Sequence, residues 1–190
     1  MMNLVRTFIA IKIPIEAPLL DVWGELRGKF PANEIKWVAA DSLHLTLFFM
    51  GDTPVDHIPM IGNDLKSTLA AHHPFEIEVK GLGYFGNPSN PKVIWVGIER
   101  CMQLTKIKRD VVQVISSYGF SDDQRAFNPH LTLGRVRGIH EPLMLQRLIH
   151  GYSDFVFQRV SVQSVIHFRS ELRPTGPIYT PINEFPLGVG

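Results

Sequence analysis

The tetrapeptide His-Leu-Thr-Leu occurs twice, as His44-Leu45-Thr46-Leu47 and as His130-Leu131-Thr132-Leu133, in a chain of 190 residues. From composition alone such a doubling has a chance on the order of 10⁻⁵. In a strand, alternate side chains face opposite ways, so each histidine shares a face with its threonine and the leucines share the other. The leucines can then anchor each strand in a core while an imidazole and a hydroxyl point into a common space. A lone strand histidine is ordinarily a satisfied core or surface residue. Two identical polar pairs on amphipathic strands are costly unless they face a site.

Two imidazoles and two hydroxyls suit phosphate ester chemistry. A neutral histidine can take a proton from an attacking water while a protonated one gives a proton to the leaving oxygen. An ordinary imidazole pKa near 6.5 makes both roles available around neutrality. Threonine hydroxyls can donate to non-bridging phosphate oxygens and offset charge as it builds. Neither a metal nor a cofactor is required. Arg135 follows the second motif closely and would add fixed positive charge and a bidentate fork. Simple alternation places Arg135 on the leucine face, but Gly134 permits a bulge that would turn it back.

The elements that must position these residues are legible as period and punctuation. Thr7 to Ile13 predicts a strand, after which Pro14 and Pro18 introduce a helix with Leu19, Trp23, Leu26 and Phe30 on one stripe. Ile35 to Phe49 holds a β-type approach and the first alternating run, ended by Gly51-Asp52. A second helix sets Ile58, Ile61, Leu65 and Leu69 on one face. Strands are predicted at Phe75 to Gly81 and Lys92 to Glu99, with GLGYFGNPSNP between them as a loop. A third helix carries Leu104, Ile107, Val111, Val114 or Ile115, and Tyr118, with Gly119 as its cap. The second alternating run follows, then a short helix around Leu143 to Ile149, a long strand from Phe155 to Phe168, and a return from Ile178 to Phe185. Adjacent strands with a helix after each HLTL run favour an α+β architecture of mainly antiparallel sheets. The spacing of the two tetrads, 86 positions, hints at an internal duplication.

Composition narrows the class. With 45% hydrophobic residues and a formal net charge of +1, the chain has material for a substantial core and is not a disordered segment. Nor can it coat nucleic acid by bulk electrostatics, so any contact with RNA or DNA must be local. The single cysteine, Cys101, excludes an internal disulfide framework and a thiolate cluster. No apolar run approaches the roughly 20 residues of a membrane span. The opening MMNLVRTFIAIKIP, which lacks a small-residue cleavage site, is read as the first strand of a cytoplasmic protein.

Several other signals are set aside. Gly81-Leu82-Gly83-Tyr84-Phe85-Gly86 fits a dinucleotide fingerprint, but Asn87-Pro88 cannot open the required helix. Tyr84 and Phe85 keep an interest as rim aromatics that could stack on a base. His140-Glu141 begins like a zinc-protease helix but has Met144 where the second ligand would stand. His57, His150 and His167 lack partners at metal spacing, and His72-His73 reads as a helix end. Asp122-Asp123 reads as solvated loop, Cys101 as structural, and Trp23, Trp37 and Trp95 as core.

On the paired tetrads and the segments RTFIAIKIP, IKWVAADSLHLTLFFMGD, GLGYFGNPSNPKVIWVGI, FNPHLTLGRVRG and SELRPTGPIYTPINEFPL, the chain resembles the two-histidine phosphoesterase superfamily. Within it, the likeness is to RNA 2′,3′-cyclic phosphodiesterases, also called 2′-5′ RNA ligases. The resemblance spans nearly the whole chain. It implies one bilobal α+β domain over residues 1–190, with pseudo-twofold symmetry, helices outside and one HLTL motif per lobe lining a central cleft. It implies hydrolysis of an RNA-terminal 2′,3′-cyclic phosphate to a 2′-phosphate, with His44 as proton donor and His130 as acceptor. Thr46, Thr132 and Arg135 carry over as phosphate contacts. The expected partners are RNA 3′ ends or a nucleotide held locally in the cleft, with no membrane, and a monomeric chain. Reversal with a 5′-hydroxyl in place of water would form a 2′-5′ bond. The residues leave open a phosphodiesterase for small cyclic nucleotides or 2′-5′ oligonucleotides, and a non-catalytic RNA-end binding module.

Overall fold

The computed structural model describes residues 3–122, 126–174 and 176–188. In chain order these form β1 (Leu4–Lys12), α1 (Ala17–Lys29), β2 (Ile35–Trp37), β3 (His44–Pro54), α2 (His57–Leu69), β4 (Phe75–Asn87) and β5 (Asn90–Ile98). Then come α3 (Met102–Ser116), β6 (His130–Val136), α4 (Pro142–Gly151), β7 (Val156–Val162), β8 (Ser164–Arg173) and β9 (Gly176–Pro186). The strands make one curled sheet in the order β7-β4-β5-β6-β3-β1-β8-β9, with β2 added against β6. Every pairing described is antiparallel. The α+β, antiparallel architecture read from the sequence is the one adopted.

The helices sit on one face because their apolar stripes need the leucine face of the strands. In α1 the stripe is Leu19, Val22, Trp23 and Leu26, in α2 Ile61, Leu65 and Leu69, and in α3 Leu104, Ile107, Val111 and Ile115. These residues join Ile9, Ile11, Leu45, Leu47, Leu131 and Leu133 in one core. Burying each such side chain stabilises the fold by about 1.5–3 kcal/mol, so the leucines of both tetrads are strong anchors. Among the described residues, the opposite face has only a small buried apolar cluster of Phe8, Ala10, Ile166 and Phe168. That face carries the polar half of each tetrad.

Three boundaries differ from the sequence reading. Gly51 does not end β3, which crosses it at φ +70° and runs on to Pro54. The glycine-rich stretch is not a loop, since β4 extends to Asn87 and pairs with β5 through Asn87↔Asn90. The expected long strand from Phe155 to Phe168 is two strands, parted at Gln163. β7 lies at one edge of the sheet and β8 beside β1 in the far half.

Candidate active site

β3 and β6 are neighbours at the middle of the sheet, and their register has one pair, Leu45↔Leu131. Antiparallel pairing about that point sets His44 across from Thr132, and Thr46 across from His130. All four side chains line one cavity of about 550 Å³ on the helix-free face. The same-face alternation of both tetrads is thereby realised.

Each tetrad ends in a bulge. Ala10 pairs with Thr46 and Ile9 with Phe48, which leaves Leu47 without a partner on β1. Trp95 pairs with Thr132 and Ile94 with Gly134, which leaves Leu133 as the extra residue of β6. The extra residue reverses the alternation beyond it. Arg135 therefore returns to the cavity, and so does Phe49, its equivalent in the first tetrad. Simple alternation fails for Arg135, and the bulge at Leu133, just before Gly134, is the reason. A Cβ on Gly134 would stand 2.6 Å from Ile35 Cγ2 and 2.9 Å from Trp37 Cε3, so glycine admits β2 against β6.

The two imidazoles are held alike. His44 Nδ1 donates to the Ser42 carbonyl at 2.8 Å, and His130 Nδ1 to the Asn128 carbonyl at 2.7 Å. A carbonyl only accepts, so Nδ1 carries hydrogen in both rings and each Nε2 is left for chemistry. The segment before His130 is braced by Arg100, whose Nη2 donates to the Phe127 carbonyl and to Asn128 Oδ1. Around His44 stand Phe8 at 4.8 Å and the edge of Tyr179 at 5.0 Å between ring centroids. Around His130 stand Phe85 at 4.9 Å and Trp95 at 6.3 Å.

Burial pushes both imidazole pKa values below the ordinary 6.5, and the carbonyl acceptors counter part of that. A protonated His130 opposes protonation of His44. The Arg135 guanidinium opposes protonation of His130. The two rings are thus coupled, and their protons leave as those of a pair rather than of either ring alone.

The cavity wall holds three cations, Arg6, Lys36 and Arg135, and no carboxylate among the described residues. In a chain of net charge +1 this is a local concentration of positive charge, suited to an anion. Sequence reasoning misses Arg6 and Lys36. Lys36 reaches the cavity because it pairs with Arg135 across β2 and β6, and Arg6 stacks over Phe49 at 4.7 Å. Neither pairing leaves a signal in local sequence.

Other readings shift too. Trp37 lines the cavity and donates through Nε1 to the Phe30 carbonyl, and Trp95 lies beside His130, so only Trp23 is simply core. The glycine-rich motif serves Trp95: a Cβ on Gly83 would meet its ring at 2.2 Å. Phe85 packs on His130 as a site aromatic, whereas Tyr84 packs against the core. Cys101 caps α3, its Sγ accepting from the Leu104 amide. Asp122 is not free in solvent but paired to Lys108 at 2.7 Å, and Asp123 lies outside the described residues. Among the described residues no three His, Cys, Asp or Glu side chains converge as metal ligands. No helix among them is long and apolar enough to cross a membrane.

An antiparallel α+β sheet with two histidine-threonine tetrads in one cationic cavity defines a two-histidine phosphoesterase architecture. The chain belongs to the 2′-5′ RNA ligase superfamily, whose sequence pattern matches residues 14–162. It is 36% identical over 185 residues to an RNA 2′,3′-cyclic phosphodiesterase of Methanothermobacter thermautotrophicus, covering 96% of this chain and 99% of that protein. The corresponding enzyme of Thermotoga maritima is 34% identical over 182 residues, 94% of each chain. In fold it is similar to E. coli LigT complexed with 3′-AMP, with TM-score 0.75 and 23% identity over 97% of this chain and 99% of that one. A crystal structure of a Thermus thermophilus protein gives TM-score 0.74 and 24% identity over 96% of this chain and 97% of that one.

Proposed function

We propose that this chain hydrolyses the 2′,3′-cyclic phosphate at an RNA 3′ end to a 2′-phosphomonoester, without a metal, by paired imidazole catalysis. The observation that carries the reading is the convergence of His44, His130, Thr46, Thr132 and Arg135 on one cavity whose other charged side chains among the described residues, Arg6 and Lys36, are both cations. Relatives at 36% and 34% identity bear the name of that activity, and LigT is a fold neighbour that has been complexed with 3′-AMP and with phosphate.

The threonine hydroxyls and Arg135 hold the non-bridging oxygens, and Arg135 offsets the charge that grows on them. Neutral His130 takes a proton through Nε2 from a water that attacks phosphorus in line with O3′. The bond from phosphorus to O3′ breaks, and His44, protonated on Nε2, gives that oxygen its proton. The product carries a 2′-phosphate and a free 3′-hydroxyl. The proton has moved from His44 to His130, and exchange with solvent resets the pair. This assignment of acid and base follows the family resemblance, and the Arg135 guanidinium, which opposes protonation of His130, supports a neutral His130 as the base. A 5′-hydroxyl acting on the same cyclic phosphate in place of water would form a 2′-5′ bond. The whole chain acts as one bilobal unit, each side of the β3/β6 seam supplying one tetrad.

The test is turnover of an RNA oligonucleotide ending in a 2′,3′-cyclic phosphate, with chelator present and the product isomer identified. A 2′-phosphate product formed at an undiminished rate is expected. Turnover confined to cyclic mononucleotides would replace RNA as the substrate. Binding without turnover would make the chain an RNA-end binding module.

A further inference from the structure

A second link across the seam between the tetrads runs through a lysine on the other side of the sheet. Backbone pairing joins β3 to β6 at Leu45↔Leu131. The spacing of the two histidines, on which paired acid and base catalysis depends, thus has little ladder to hold it. Lys108 of α3 reaches into this gap from the helix face. Its Nζ donates to the Leu47 carbonyl at 2.8 Å and to both carboxylate oxygens of Asp122 at 2.7 Å. The ammonium lies 5.5 Å from the ring centroids of Phe48 and of Phe127. Its side chain is 13% exposed.

These partners are not scattered. Leu47 is the bulge residue of the first tetrad, three positions after His44, and has no partner on β1. Phe127 stands three positions before His130, on the segment whose Asn128 carbonyl orients that imidazole. One ammonium therefore ties the end of the first tetrad to the approach of the second. A mostly buried cation is costly unless its hydrogens are satisfied. Here a carbonyl, a carboxylate and two ring faces satisfy it, and the carbonyl belongs to the residue at which the ladder is interrupted.

We propose that Lys108 is a positioning residue, a clamp that sets the separation of His44 and His130 through the Leu47 bulge on one side and its contacts with Asp122 and Phe127 on the other. This rests on the two-imidazole reading given above. Lys108 touches no reacting atom. It acts through strand placement, and displacement of reacting groups by a fraction of an ångström to about 1 Å is enough to cost one to two orders of magnitude in rate.

The experiment compares the parent protein with Lys108→Met, Lys108→Arg and Asp122→Asn. In Lys108→Met, kcat on a cyclic-phosphate RNA falls at least about 10-fold while KM changes less than about three-fold, because the substrate contacts remain. Lys108→Arg recovers most of the loss, and Asp122→Asn falls between. In the substrate-free protein the imidazole nitrogen resonances of His44 and His130 both move in Lys108→Met, with circular dichroism unchanged. Parent-like imidazole resonances in folded Lys108→Met would overturn the clamp. So would a loss of activity that vanishes on cooling, since it would mark a residue of stability alone. The resonances are read without turnover, so a parent protein inactive on cyclic phosphates would overturn the proposed reaction and still leave the clamp decided.

Discussion

His167 on β8 should make this protein lose stability in acid, and by a predictable amount. Its side chain is 0% exposed, and neither ring nitrogen has a hydrogen-bond partner among the described residues. It faces away from the site, with Ile9 as its neighbour on β1 and Asn183 on β9. Burial pushes its pKa down to about 4. In the unfolded chain the imidazole titrates near 6.5, so between the two values the unfolded state binds a proton that the native state refuses. The contribution is therefore complete above pH 6.5 and is lost as pH falls through that window. The gap is worth about 3 kcal/mol at its limit, with a slope of about 1.4 kcal/mol per pH unit. Urea unfolding of the parent and of His167→Phe at pH 7.5, 6, 5 and 4 isolates the effect. Carboxylates and the two site histidines titrate alike in both proteins and cancel in the difference. The stability gap between the two proteins should change by about 3 kcal/mol from pH 7.5 to 4, in favour of the variant in acid. A gap that stays constant to within about 0.5 kcal/mol would refute the argument, because His167 would then be equally protonated in both states.

Three further outcomes concern the site. His44→Ala and His130→Ala should each lower kcat by about 10²–10⁴-fold with the fold retained, and the double variant should lose far less than the product; single-turnover rates check this. In the free enzyme both imidazoles are lowered, so kcat/KM against pH should be bell-shaped with its centre below 6.5. Arg135→Ala should raise KM and move one limb of that profile upward as His130 regains basicity. Gly134→Ala forces Ile35 and Trp37 aside, so about 1–3 kcal/mol of stability in thermal or urea unfolding should be lost together with kcat, whereas Gly138→Ala, with open space at its Cβ, should change neither.

Alternation is a local property, and everything that depends on it was readable from the chain. The HLTL runs placed their leucines in the core and their imidazoles on the other face, because a strand's period is two wherever the strand lies. The helical stripes of α1, α2 and α3 were readable for the same reason, with a period of 3.6. Pairing is not local. The run from Phe155 to Phe168 reads as one strand, yet its halves join opposite parts of the sheet, since alternation carries no information about which neighbour a strand meets. The direction of Arg135 is ambiguous in sequence because a bulge depends on the partner strand, here β5, as much as on Gly134. Arg6, Lys36, Trp37 and Tyr179 enter the cavity from β1, β2 and β9, and nothing in their own segments sets them apart from surface or core residues. Residue type and spacing determined which atoms could perform the chemistry. Only the tertiary structure decided how far apart the two imidazoles stand, because that distance is set by a seam of one backbone pair, two bulges and the contacts of residues distant in the chain.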